Sequence, residues 1–272
     1  MYRLLLSDLD GTLRGFHVPI SPAVKSALRE AAASGVRVTL ATGRILQSVL
    51  PYAEELGVNA PLVCCNGGLI IDHRTRQEIA KRTVPLPVIH TAMRFALEHD
   101  LRFATYLDDY CTSLRRDPGS AVLSVWEGEQ QRCVVEDPFC WLEREPLNCL
   151  LWAVDEPTSA RTAPLLQARM GSTMRVTRST PTLIEVILPD VSKARGAAVL
   201  AAHLGIAREE VLALGDGDND VELLTWAGLG VAVGSATPAA RAAADCVVGS
   251  VGEDGAAEAV RRLILDAEPA RP

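Results

Sequence analysis

Aromatic residues are scarce, at 4% of 272. A core must therefore come mostly from Leu, Val and Ala. Positive charge is also short: 27 Lys and Arg stand against 34 Asp and Glu, a net charge of -7. That balance argues against a nucleic-acid binder, which would carry a basic patch. If such a chain handles anions, it must gather positive charge locally or borrow it from a metal. The seven cysteines form no C-x-x-C pair and show no spacing with His that suits zinc. Cys64 and Cys65 lie side by side in an apolar run and read as buried strand thiols in a reducing compartment. No run approaches the roughly 20 apolar residues of a membrane helix. The opening run Leu4 to Leu6 is too short for a signal peptide, and acids follow it. A cytoplasmic protein with no membrane partner is expected. No internal repeat is visible.

What is present is ordinary globular material, 48% hydrophobic and 22% charged, enough for one large domain or two smaller ones. Ser21-Pro22 marks a helix start, Val24, Ala27, Leu28 and Ala31 follow at helical spacing, and Gly35 stops it. Val36 to Ala41 is a short buried strand running into Thr42-Gly43-Arg44. A helix then ends near Gly57, and Pro61 to Cys65 is a third strand closed by Asn66-Gly67-Gly68. This alternation predicts a parallel sheet covered by helices.

From Val84 to Leu188 the pattern changes. Helices are expected over 87–99 and 158–169, and strands over 102–107, 148–154, 173–178 and 182–188. Two helices on a mostly antiparallel sheet make an α+β module. The first pattern returns with a helix over 192–204 and the strand Val211 to Gly215, which ends in GDGDND. Further strands are expected at 228–233 and 245–248. The α+β module is thus an insertion into an open α/β sheet, and the tail after Asp266 is expected to be loose.

Four polar clusters fall at or beside strand ends: Asp8 with Asp10, Thr42 with Gly43, Lys193, and Asp216 to Asp220. Ligands of open parallel sheets bind beyond the carboxyl ends of strands. Asp8, Asp10 and Asp216 are hard oxygen ligands suited to magnesium, and a divalent cation would remove the repulsion between Asp8 and Asp10. Thr42 offers a hydroxyl, with free N–H groups expected near a helix start. Lys193 adds a compact positive charge and Asn219 an amide donor. Together these suit phosphoryl transfer.

Taken singly, each feature has a plainer reading. Asp8-x-Asp10 alone is a solvated strand end; the apolar strand before it and Gly11-Thr12 behind it favour function. Thr42 alone is a helix cap, Lys193 alone a surface lysine. Asn66 reads first as a turn residue, Arg44 as a helix cover or a substrate partner, Asp108-Asp109 as a solvated turn. The five histidines show no ligand spacing. An EF-hand would need Gly and Glu where Val221 and Ala227 stand. Gly228 to Gly234 misses the spacing of a dinucleotide loop.

DLDGT (8–12), TG (42–43), Lys193 and GDGDND (215–220), in that order, resemble the haloacid dehalogenase superfamily of phosphatases. The resemblance extends to CNGG (65–68) and to residues 230–248. The placement of the insertion is similar to the class IIB cap of the Cof-type sugar-phosphate phosphatases. This resemblance implies a Rossmann-like α/β core over 1–84 and 187–272, with an α+β cap over 85–186 that selects substrate. It implies Asp8 as nucleophile, forming an aspartyl-phosphate, and Asp10 as general acid and base. It implies that the N–H of Leu9, with Thr42, Gly43, Lys193 and Asn219, holds the phosphate. It implies Mg2+ on Asp8, the carbonyl of Asp10 and Asp216, with Asp220 orienting that shell. The substrate would be a small phosphorylated metabolite, the enzyme a monomer or homodimer. Ala194, Ser235 and Arg241 depart from the family's usual residues, which bears on substrate fit. A phosphomutase, which also keeps the second acid, and a non-catalytic sugar-phosphate binder are the alternatives.

Overall fold

The computed structural model describes residues 1–15, 18–107, 111–114, 132–135, 145–178 and 182–266. The expected turn at Asp108-Asp109 and the tail after Asp266 lie outside them. Along the chain run β1 (Leu4–Ser7), α1 (Pro22–Ala33), β2 (Arg37–Leu40), α2 (Leu46–Leu56), β3 (Leu62–Cys64), β4 (Leu69–Ile71) and β5 (Glu78–Lys81). Then come α3 (Leu86–Glu98), β6 (Arg102–Tyr106), β7 (Cys111–Leu114), β8 (Arg132–Val135), β9 (Asn148–Trp152), α4 (Glu156–Met170), β10 (Arg175–Arg178) and β11 (Leu183–Ile187). The last stretch holds α5 (Lys193–Leu204), β12 (Val211–Gly215), α6 (Val221–Trp226), β13 (Leu229–Ala232), α7 (Pro238–Ala243), β14 (Cys246–Val247) and α8 (Gly255–Val260).

The chain divides into two units. The first comprises Met1–Gly43, Leu50–Ala80 and Ser192–Pro272; the second comprises Arg44–Val49 and Lys81–Val191. In the first, five strands lie in the order β14-β13-β12-β1-β2, with every pairing parallel. Strands buried on both faces need unbroken apolar runs rather than alternation; Leu4, Leu5 and Leu6 are each fully buried. From β1 the chain moves to β2 on one side, while β12 leads to β13 and β14 on the other, so the order reverses at β1. Crevices open at such reversals, beyond the carboxyl ends. The register aligns those ends: Ser7 is level with Leu40 on one side and Leu214 on the other.

The expected helix ends are present. Ser21 Oγ accepts from the Val24 N–H at 3.2 Å and Ser192 Oγ from the Arg195 N–H at 3.3 Å. Gly205, with φ at 63°, closes α5. The α/β class read from the sequence is the class observed. The third strand stops one residue short, because Cys65 takes a φ of 50° and turns the chain. A small sheet β3-β4-β5 was not foreseen.

The second unit carries a six-stranded sheet, β10-β11-β9-β6-β7-β8. Its pairings are antiparallel except that of β7 with β8. One face buries Phe103, Cys149, Leu151, Ile184 and Val186 against Ile89 and Met93 of α3 and Leu166 and Met170 of α4. Among the described residues, no helix is long and apolar enough to cross a membrane.

Candidate active site

Asp8, Leu9, Asp10, Thr42, Gly43, Lys193, Asp216, Asn219 and Asp220 all lie in the first unit. Asp8 directly follows β1, and its N–H donates to the Leu214 carbonyl at 2.9 Å. The sheet ladder thus fixes Asp8 beside the end of β12, two residues before Asp216. Carboxylate oxygens of Asp8, Asp216 and Asp220 lie within 4.8 Å of one another.

Lys193 sits among them, 1% exposed. Its Nζ donates to Asp8 Oδ1 at 2.6 Å and to Asp220 Oδ1 at 2.7 Å. It gets there because α5 starts almost against the turn after β3. A Cβ on Gly196 would stand 2.5 Å from Val63 Cγ1 and 3.0 Å from the Gly67 Cα. Only a bare backbone at 196 lets the first turn of α5 come so close. The second oxygen of Asp220 accepts the N–H groups of Asp216 at 3.1 Å and Gly217 at 2.9 Å. Asp220 therefore folds its own loop while it faces the lysine. Thr12 Oγ1 donates to Asp216 Oδ1 at 2.8 Å. Gly11, at φ 94°, keeps clear of the same carboxylate; a Cβ there would stand 2.1 Å from Asp216 Oδ2.

Asp10 is placed differently. Its carboxylate is not one of the three in the cluster. Its backbone forms a bridge with Arg14, and its Oδ1 lies 3.8 Å from Arg14 Nε. Leu9 is fully buried, and its carbonyl accepts from Leu13 and Arg14. The Thr42 side chain is buried, but its N–H donates to the Val63 carbonyl at 2.9 Å. That donor is therefore not among the free amides expected there. The Thr42 carbonyl accepts from the Asn66 N–H at 2.9 Å, tying the TG segment to the turn after β3. Asn219 Nδ2 donates to Asn66 Oδ1 at 3.0 Å, and Gly43 borders the same amide. Asn66 is thus more than a turn residue: buried, with φ at 53°, it anchors Asn219. An N-G-G triplet after a buried strand was its signal. Arg44 is buried within residues that group with the second unit.

Residues 5–260 match the family of haloacid dehalogenase-like hydrolases. The chain belongs to that family. The 5-amino-6-(5-phospho-D-ribitylamino)uracil phosphatase of Bacillus subtilis is 31% identical over 266 residues, 97% of this chain and 96% of its own. An Arabidopsis thaliana relative, named as the chloroplastic endoribonuclease YBEY, is 27% identical over 271 residues; this chain spans 46% of its length. A haloacid dehalogenase-like hydrolase of Bacteroides thetaiotaomicron superposes with a TM-score of 0.87 at 29% identity, over 97% of this chain and 100% of that one. The fold is also that of a subclass IIB sugar phosphatase, at a TM-score of 0.83 and 23% identity, over 96% of this chain and 98% of the other. The family match and the Bacillus subtilis phosphatase put the chain among the phosphatases of the haloacid dehalogenase-like family.

The charges of this haloacid dehalogenase-like site do not balance by themselves. Three clustered carboxylates face one ammonium, which leaves two negative charges over. Burial raises the Asp8 carboxyl well above the usual range; Asp220, Asp216 and Asp10 add to this and Lys193 opposes it. Burial, then Asp220, pushes Asp216 up to about 6, while the bond from Thr12 works the other way. Burial disfavours the Lys193 charge, but Asp220 and Asp8 outweigh it and hold the ammonium above its ordinary value. Hard oxygen donors with two charges unmatched fit a divalent cation such as magnesium.

A pH dependence follows for the metal-free protein. Asp216 binds its proton more tightly folded than unfolded, so folding takes up protons between 3.8 and about 6. Its contribution is full below the lower value and lost as pH rises through the upper one. In chelator, the thermal midpoint should therefore fall between about pH 5 and about pH 7. A midpoint that rises over that interval would contradict the assignment.

Proposed function

We propose that this chain is a magnesium-dependent phosphatase of small phosphomonoesters, sugar phosphates foremost, working through a phosphoaspartate. The observation that carries the proposal is the cluster of Asp8, Asp216 and Asp220 around Lys193, with Asp8, Asp220 and Lys193 buried. A carboxylate is kept desolvated beside a fixed cation, as an attack on phosphorus requires. The phosphorylated ribityl group in the name of the Bacillus subtilis relative supports a polyol or sugar phosphate.

Lys193, Asn219, the Thr42 hydroxyl and the N–H groups of Leu9 and Gly43 hold the phosphoryl oxygens. An Asp8 oxygen forms a bond to phosphorus as the bond to the ester oxygen breaks. Asp10 gives its proton to that departing oxygen. In the second step water bonds to phosphorus, Asp10 takes a proton from it, and the bond to Asp8 breaks. Inorganic phosphate leaves and both aspartates return to their starting forms. Asp8, the Asp10 carbonyl and Asp216 would hold magnesium, with Asp220 behind them, and the cation would neutralise the phosphoryl and carboxylate charge. We assign the choice of ester to the inserted second unit. We assign the protein to the cytoplasm, whose reducing conditions suit the buried cysteines Cys64, Cys65 and Cys149.

The test is phosphate release from para-nitrophenyl phosphate. Chelator should bring it to background, and added magnesium should restore it. Turnover without metal would overturn the proposal. A mutase acting on a sugar phosphate would yield an isomer and no free phosphate.

A further inference from the structure

The residue asked to move protons does not belong to the carboxylate cluster of this site. Asp10 keeps 22% of its side chain exposed. On the reading above it must meet the same phosphorus twice, first to give a proton and then to take one. A side chain that wandered between those visits would lose rate at both. Some group has to hold it.

Arg14 is placed to do so. The Gly11 N–H donates to the Arg14 carbonyl at 2.7 Å and the Arg14 N–H to the Leu9 carbonyl at 3.1 Å. This tight loop sets Arg14 opposite Asp10, with Nε 3.8 Å from the carboxylate. The arginine is fixed in turn from its far side. Its Nη1 donates to the Tyr52 hydroxyl, and its guanidinium carbon lies 5.3 Å from the centroid of the same ring. A planar cation with permanent charge, hydrogen-bonded to the Tyr52 hydroxyl through Nη1 and to the Gly15 carbonyl through Nε at 3.4 Å, holds its charge in one place beside Asp10.

We propose that Arg14 is a positioning residue for Asp10 and that Tyr52 is its anchor. The inference rests on Asp10 as the proton donor and acceptor of the proposed reaction. In the first step the proton passes from the Asp10 carboxyl to the ester oxygen as that oxygen parts from phosphorus. A leaving group that is stable as an anion needs that proton little; a basic one needs it badly. Misplacing Asp10 therefore penalises basic leaving groups selectively.

The experiment measures kcat/KM of the full chain with magnesium over substituted phenyl phosphates, from para-nitrophenyl to unsubstituted phenyl. Asp10→Asn is the reference, and Arg14→Met, Arg14→Lys and Tyr52→Phe are the tests. Arg14→Met should lower phenyl phosphate by about tenfold more than para-nitrophenyl phosphate, part of the hundredfold or more that a general acid supplies. Arg14→Lys should recover part of the difference, and Tyr52→Phe should show a smaller loss of the same kind. If Asp10→Asn itself shows no dependence on the leaving group, the role of Asp10 fails. If it does, yet Arg14 and Tyr52 variants lower all esters equally or none, the positioning inference fails. A rise in KM at constant kcat would make Arg14 a substrate contact and also overturn it. Should Arg14→Met not fold, Arg14→Lys and Tyr52→Phe decide by the same criterion.

Discussion

Asp8→Asn will abolish phosphate release, by roughly a thousandfold or more, without unfolding the protein. The substitution keeps shape and leaves an amide oxygen to accept from Lys193 Nζ, which now stands 2.6 Å from Asp8 Oδ1. What it removes is the negative oxygen that, in the proposed mechanism, bonds to phosphorus, and no neighbour can take over. Asp220 is spoken for by Lys193 and two backbone N–H groups; Asp216 is held by Thr12. The stability side of the result is opposite in sign. Burial and three neighbouring acids make the Asp8 charge unfavourable, so a neutral side chain relieves repulsion. In chelator the variant should melt no lower than the parent. Phosphate release and thermal melting, measured on the same preparation, check both halves. Undiminished turnover would remove Asp8 as the nucleophile.

Much of this site could be read before any coordinates, and the reason is local. A buried parallel strand must be a short apolar run, so Leu4 to Leu6 and Val211 to Leu214 announce themselves, and polar residues directly after them mark the sheet's carboxyl edge. Caps such as Ser21 and Ser192 are equally local signals. The β4–β5 hairpin escaped because its strands carry little pattern. Leu69 to Ile71 is only three residues long, and Glu78 to Lys81 is partly exposed throughout. The strand expected through Cys65 failed for a different reason: nothing in a pair of cysteines tells that the second takes a positive φ. Lys193 lies between the two kinds of case. Its position at a helix start was legible, but its burial between Asp8 and Asp220 depends on the close approach of Gly196 and Gly67, a matter of tertiary packing. Arg14 and Tyr52 are 38 residues apart and share no motif, so only the folded chain pairs them.

Lys193→Met should be the most disruptive single change after Asp8→Asn, and pH should expose why. Methionine fills similar space but brings no charge. Asp8 and Asp220 would then face each other, buried, without the ammonium between them. Removing one partner of a buried ion pair costs about 3–5 kcal/mol, because the remaining charge stays desolvated. At roughly 2–4 °C per kcal/mol for a chain approaching this size, the midpoint in chelator should drop by about 10 °C near neutral pH. Below about pH 5 the drop should shrink, since carboxyls raised as Asp8 and Asp216 are bind protons there and shed the repulsion. Magnesium should recover more of the midpoint in the variant than in the parent at neutral pH, because it meets a larger unmatched charge. It should not recover turnover, since the phosphate would still lack its fixed cation. A drop of equal size at both pH values, with no extra recovery on magnesium, would show that Lys193 serves packing alone. The site's electrostatic account would fall with that result.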